Sequence, residues 1–322
     1  EEMKEGEAYE KAYSYWMSKL EDFPEAPQLP LKCEPETVEC GHFIRKRRIF
    51  SKEELDVMKK QSTKHSMTIS ALLMSAYGHV LQFYSGMDAF TVNLTLFNRP
   101  MFHPDIEKLY GDFTTSILLD FNMSGEDFWG ESKKVQQTLS KALEYRIYDG
   151  IHFSKDVMRK FRYPTTKALM PIVFTSLLFE QDIWDDVNRL GEVKWSIGQT
   201  PQVYIDFQVM SEGGNLVIQM DYVSELFEAE MMEHIFADYC GILEEVAEGK
   251  EKVTPLMLSE EQKKQRLSYN DTNEEHPREA TLIELFMDSV RKYQDKVALI
   301  YEDETFTYAM LDQYSNNIAE YL

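Results

Sequence analysis

Two runs of alternating character, Val203–Val209 and Leu216–Tyr222, stand on either side of Gly213, Gly214 and Asn215. No other feature of this chain limits its fold so tightly. Apolar Val203, Ile205, Phe207 and Val209 interleave with Gln202, Tyr204, Asp206 and Gln208, the period of a strand with one buried face. A glycine pair between two such runs predicts an antiparallel hairpin. Asp206 is out of character there, because its short side chain competes for backbone hydrogen bonds and disfavours strands.

The rest of the chain alternates helical and strand patterns. Helices are expected over Glu1–Leu20, with Tyr9, Tyr13, Trp16 and Leu20 on one stripe, and from Ser51, which forms a capping box with Glu54. Further helices are expected over Thr68–Tyr84, over Ser124–Arg146 with Ser124 as cap, over Ser154–Phe161 and over Phe227–Glu248. Strands are expected over Phe43–Phe50, Ala89–Phe97, the end of GDFTTSILLDF, and Met170–Leu178. Pro24, Pro27 and Pro30 exclude helix from FPEAPQLPL and favour an extended crossing segment. NRPMFHPD reads as a loop and FEQDIWDDVN as an acidic surface excursion. The expected class is α/β over residues 1–250, a polar linker over 251–278, and a new unit over 279–322 built of helix, VALIY, turn, FTY and helix.

Composition narrows the function classes. The formal charge of -22 argues against nucleic acid or an anionic membrane as the main partner. Three cysteines, none in a CxxC, suit a reducing, cytoplasmic setting rather than a disulfide framework. No His/Cys cluster has metal-ligand spacing, so no metal is expected.

Three polar groups interrupt apolar runs. In PIVFTSLL, Thr175 shares a strand face with Val173 and Leu177, and Ser176 with Ile172 and Phe174. Thr175 suits a strand as a buried hydroxyl bonded to a neighbouring carbonyl, the reading its residue type favours, and a functional donor is the alternative. Asp206, flanked by Tyr204 and Gln208, belongs either to a solvated face or to a site. In GDFTTS, Asp112 and Thr114 fit a loop-shaping role.

Taken in order, six stretches resemble the heterocyclization domains of nonribosomal peptide synthetases. FPEAPQLPL resembles the LPxxPxLPL signature. TISALLMSAYGHVLQFYS, FTVNLTLFNRP with HPD, GDFTTSILL, PIVFTSLL and QTPQVYIDFQV follow in the family's order, covering most of Tyr15–Gln208. An ordinary condensation domain would carry a GxFVNTLP-like segment in place of GDFTTSILL. One departure is Phe207, where the family more often shows His. The tail, from YNDTNEEHPREATLIELF to FTYAMLDQYSNNIAEYL, resembles the opening of an adenylation domain.

The resemblance implies a chloramphenicol-acetyltransferase-like lobe with a mixed sheet flanked by helices. It implies the C-terminal lobe of the domain, the family's DxxxxDxxS motif belonging to a lobe that precedes Glu1. An isolated piece of this kind is expected to be inactive, since half the tunnel wall would be missing. The implied reaction joins a carrier-bound acyl group to carrier-bound Cys, Ser or Thr and closes a thiazoline or oxazoline ring. The implied partners are upstream and downstream peptidyl carrier domains and an adjacent adenylation domain. The segment itself binds no cofactor; the carriers' phosphopantetheine arms enter as substrate. Asp206 is the implied proton-transfer group, and Thr175 orients it or donates to the substrate oxygen. Asn93, Gln208, Tyr204 and Ser176 are candidate substrate-positioning groups. The rivals are an ordinary condensation domain and a non-catalytic docking lobe.

Overall fold

A computed structural model describes residues 6–97, 103, 105–109, 111–164, 166–178, 191, 197–198, 200–275 and 279–322. Most of NRPMFHPD and all of FEQDIWDDVN lie outside the described residues. The described chain divides into two compact units, Glu1–Met257 and Leu258–Leu322.

The first unit is built on a six-stranded sheet. Its strands are β1 (Phe43–Phe50), β2 (Ala89–Phe97), β3 (Thr114–Asn122), β4 (Ile172–Leu177), β5 (Ile205–Glu212) and β6 (Asn215–Val223). They lie in the order β1-β6-β5-β4-β2-β3. The β2–β4 and β4–β5 pairs are parallel and the other pairs antiparallel. The expected hairpin is β5–β6. It turns on Gly213 and Gly214, whose φ values of +57° and +81° suit a two-residue turn open chiefly to glycine.

One sheet face is apolar. Phe90, Leu94, Ile117, Phe174, Phe207, Ile218 and Met220 all lie within the core. Against this face pack α3 (Ile69–Ser85) and α6 (Ala229–Ala247): Tyr77 stacks on Phe207 with ring centroids 4.4 Å apart, and Tyr239 meets Phe207 edge-on at 4.5 Å. Gly78 of α3 lies so near β3 that a Cβ there would stand 2.6 Å from the Phe121 ring. Flanking them in the same layer are α2 (Lys52–Lys64), with the expected Ser51–Glu54 capping box, beside α6 and β6, and α4 (Phe128–Glu144), beside α3 and β3.

On the other face, α1 (Glu7–Lys19) and α5 (Gly150–Lys160) sit at the β3 end. Lys19 pairs with Asp120 at 2.6 Å, and Trp16 packs on Phe153. In α1 the buried residues are Ala12 and Trp16, while Tyr13 is exposed, so the apolar stripe is shifted from the expected one. The triple-proline segment is extended and crosses the sheet as expected. The Thr91 amide donates to the Glu25 carbonyl, and the Thr91 hydroxyl to that of Pro24, pinning the segment to β2.

Two local expectations need correction. Asp127, not Ser124, caps α4 by accepting from the Gly130 amide; Ser124 instead donates to Glu131. α5 begins four residues before Ser154, because Asp149 supplies its cap. The polar stretch read as linker contains α7 (Glu260–Tyr269), set by a Ser259–Gln262 capping box. The second unit continues with α8 (Leu282–Tyr293), the β7 (Val297–Tyr301) and β8 (Glu304–Thr307) hairpin, and α9 (Tyr308–Tyr321), in the order read from sequence. No described helix is long and apolar enough to cross a membrane.

Candidate active site

The face opposite the core helices is polar where β6, β5, β4 and β2 meet. Side chains in register form two rows across the strands. The first runs Arg45, Asp221, Asp206, Val173, Asn93; the second runs Arg47, Gln219, Gln208, Thr175, Thr95. Asp206 and Gln208 stand on this face because the buried alternation of Ile205, Phe207 and Val209 claims the other.

Asp206 is half-buried at the centre of the first row. Gln208 Nε2 donates to its Oδ2 at 2.6 Å, and the Thr175 hydroxyl donates to its Oδ1 at 3.4 Å. Burial pushes the Asp206 carboxyl above the ordinary carboxylate range. Its bond from Gln208 opposes the shift, Asp221 adds to it, and Thr175 and Arg45 oppose it again. A carboxyl raised in this way exchanges a proton more readily near neutral pH than an exposed one does.

Asp206, Thr175 and Gln208 are therefore brought together. Asn93 is not: β4 separates its strand from β5, which puts it two strand spacings, about 9–10 Å, along the row. Its Oδ1 is buried with no hydrogen-bond partner among the described residues. Ser176 points to the face opposite Thr175, as strand alternation requires, and so away from Asp206. Tyr204 lies just ahead of β5 and lines a separate cavity of about 200 Å³ with Tyr163, Lys167 and Phe227. Asp112 is exposed and accepts from the Thr114 amide at 2.8 Å, which shapes the loop before β3.

Sequence reasoning did not pick out Asp221, Arg45 or Gln219. Asp221 is fully buried and held by two bonds from Arg45, Nε to Oδ1 at 2.7 Å and Nη2 to Oδ2 at 2.6 Å. Gln219 Oε1 is buried with no hydrogen-bond partner among the described residues. The signal for Asp221 was present: it is a second carboxylate inside an alternating strand, and a two-residue turn puts it opposite Asp206.

Phe207 also finds its explanation. Its ring is fully buried between Tyr77 and Tyr239, on the core side of the sheet. A side chain at this position cannot reach the polar face, so whatever Asp206 does it does without the residue beside it.

Among the described residues, no group of three or more His, Cys, Asp or Glu could hold a metal ion. The first unit is a mixed sheet packed by helices, with a half-buried carboxyl on the polar part of one face. Residues 1–268 match the family model of the condensation domain, and the chain belongs to the condensation domains of nonribosomal peptide synthetases. It is 37% identical over 325 residues to bacitracin synthase 1 of Bacillus licheniformis, covering 99% of this chain and 6% of that protein. It is 29% identical over 303 residues to phenyloxazoline synthase MbtB of Mycobacterium sp. (strain MCS), covering 92% of this chain and 26% of that one. The crystallised EpoB cyclization-docking bidomain from Sorangium cellulosum superposes with a TM-score of 0.69 at 28% identity, covering 76% of this chain and 50% of that one. The chain thus spans a small part of the curated relatives it matches.

Proposed function

We propose that this chain is the C-terminal lobe of a heterocyclization domain, followed by the opening segment of an adenylation domain. The supporting relatives are a phenyloxazoline synthase and a cyclization bidomain. The observation that carries the reading is the half-buried Asp206 carboxyl bonded to Thr175 and Gln208 on the polar sheet face.

The chemistry runs in two stages. The amine of a carrier-bound Cys, Ser or Thr attacks the upstream acyl thioester, forming an amide and releasing the upstream carrier thiol. The side-chain sulfur or oxygen then adds to the new amide carbonyl. The carbonyl oxygen takes the thiol or hydroxyl proton as the ring closes, gains a second proton and leaves as water, the nitrogen loses its proton, and the ring C=N forms. Asp206 holds the proton for the departing oxygen and accepts one from the nitrogen afterwards. Thr175 fixes the carboxyl by donating its single hydroxyl hydrogen to Oδ1. The carriers' phosphopantetheine arms deliver both substrates, in a cytoplasmic synthetase.

A second reading is an ordinary condensation domain, which forms the amide and stops. Bacitracin synthase 1, whose name specifies no ring, shares more of the sequence than the phenyloxazoline synthase does. Asp206→Asn in the intact synthetase module, with both carriers loaded, separates the readings. The expected outcome is a linear amide, heavier by one water than the wild-type product, with ring closure slowed roughly 10²- to 10⁴-fold. Ring closure at the wild-type rate removes Asp206 from the mechanism. A wild-type module that never yields dehydrated product supports the second reading.

A further inference from the structure

The Arg45–Asp221 pair has no part in the chemistry described above, yet it ends in the same row as Asp206. Asp221 is completely buried, and Arg45 grips both its oxygens. Replacing such a pair with apolar side chains of similar volume is often neutral or stabilising, so stability alone is a weak reason for its presence. Its direction matters more. Across the strands the charges run Arg45, Asp221, Asp206, so the negative end of the pair is the end beside Asp206. Directly opposed residues have Cβ atoms roughly 4.5–5.5 Å apart, and Arg45 is one strand further away. Coulomb energy falls with distance, so the near carboxylate outweighs the far guanidinium.

We propose that the Arg45–Asp221 pair is the positioning element of the Asp206 site: Arg45 clamps Asp221 so that its carboxylate stands fixed beside Asp206 and tightens Asp206's hold on a proton. The other groups around Asp206 act differently. Thr175 on β4 and Gln208 on β5 donate to its charged form, and Gln219 on β6 is neutral. Tyr77 on α3 is a fully buried phenol on the core side, held neutral chiefly by burial and secondarily by Asp206. Asp221 is the one group among these that favours the protonated acid. Only the catalytic consequence rests on the heterocyclization reading; the coupling itself does not.

The test is the titration of the Asp206 carboxyl carbon, followed by NMR in the carbon-13-labelled 322-residue chain. Asp221→Asn keeps the shape, removes the near negative charge and leaves Arg45 in place. The double variant Arg45→Met/Asp221→Met removes both charges. The Asp206 midpoint is expected to fall in both variants, furthest in Asp221→Asn, where Arg45 is uncompensated. A role confined to structure gives no such order. If Asp221→Asn does not fold, the double variant carries the test alone, its midpoint again expected below wild type. A midpoint that stays or rises in the folded variants overturns the proposal. In the intact module the acid-limb midpoint of ring closure is expected to follow the NMR midpoint down. A moved NMR midpoint with an unmoved rate profile leaves the coupling standing and removes Asp206 from proton transfer.

Discussion

Asp206 and Asp221 stand directly opposite each other on the β5–β6 ladder, two carboxylates on one face of one hairpin. Like charges so placed ordinarily destabilise a sheet. Here Arg45, from the neighbouring edge strand, binds one of them, while Gln208 and Thr175 donate to the other. The arrangement ties one carboxyl to a guanidinium and leaves the other able to take up a proton.

That arrangement has a cost that can be measured. Folding raises the affinity of Asp206 for its proton, so the native chain binds it more tightly than the unfolded chain. The contribution to stability is fully present below the unfolded value, ~3.9, and is lost as pH rises through the raised native value. Asp206→Asn should therefore melt at a higher temperature than wild type at pH 7. The gain should shrink as the pH approaches the unfolded carboxylate range. Thermal unfolding at a series of pH values checks this, and a variant less stable than wild type at neutral pH contradicts it.

Thr175→Val tests the hydroxyl with little change of shape, since both side chains are β-branched and suit strands. The bond it removes is long, 3.4 Å, so a loss of about 0.5–1.5 kcal/mol is expected, which corresponds to roughly a 2- to 10-fold slowing of ring closure. Thr175 opposes the raised proton affinity of Asp206, so the Asp206 midpoint should move up. Single-turnover ring closure and carboxyl NMR measure the two effects separately.

Phe207→His asks whether a histidine beside Asp206 supplies a catalytic partner. The Phe207 ring is buried between Tyr77 and Tyr239, on the face away from Asp206. The substitution should lower stability by roughly 2 kcal/mol or more, because it buries a polar ring among apolar ones. It should not accelerate ring closure. Denaturant midpoints measure the first effect and product formation the second.

Gly78→Ala probes the contact of α3 with β3. The added methyl would lie 2.6 Å from the Phe121 ring, in a packed core. Overpacking of this kind costs about 1–3 kcal/mol, more than the alanine gains in helix propensity. A fall in the unfolding midpoint is expected, with the polar face unchanged by NMR.

Much of this site could be read from the chain. Alternation in Val203–Val209 put Asp206 and Gln208 on one face and Phe207 on the other. The glycine pair at Gly213 and Gly214 joined that strand to its neighbour, and through the turn it also determined that Asp221 would oppose Asp206. These are local consequences: a strand has a side-chain period of two, and a two-residue turn leaves one register. Ser176 was likewise assigned to the face away from Thr175 by alternation alone. Tertiary structure decided the rest. Arg45 reaches Asp221 across 176 residues of chain, and nothing in the pattern of FIRKRRIF selects which of its basic residues meets a carboxylate. The insertion of β4 between β5 and β2 brings Thr175 to Asp206 and sets Asn93 a further strand away. Strand order is a choice among non-local pairings, made by the core as it packs, and periodicity within a segment carries no record of it.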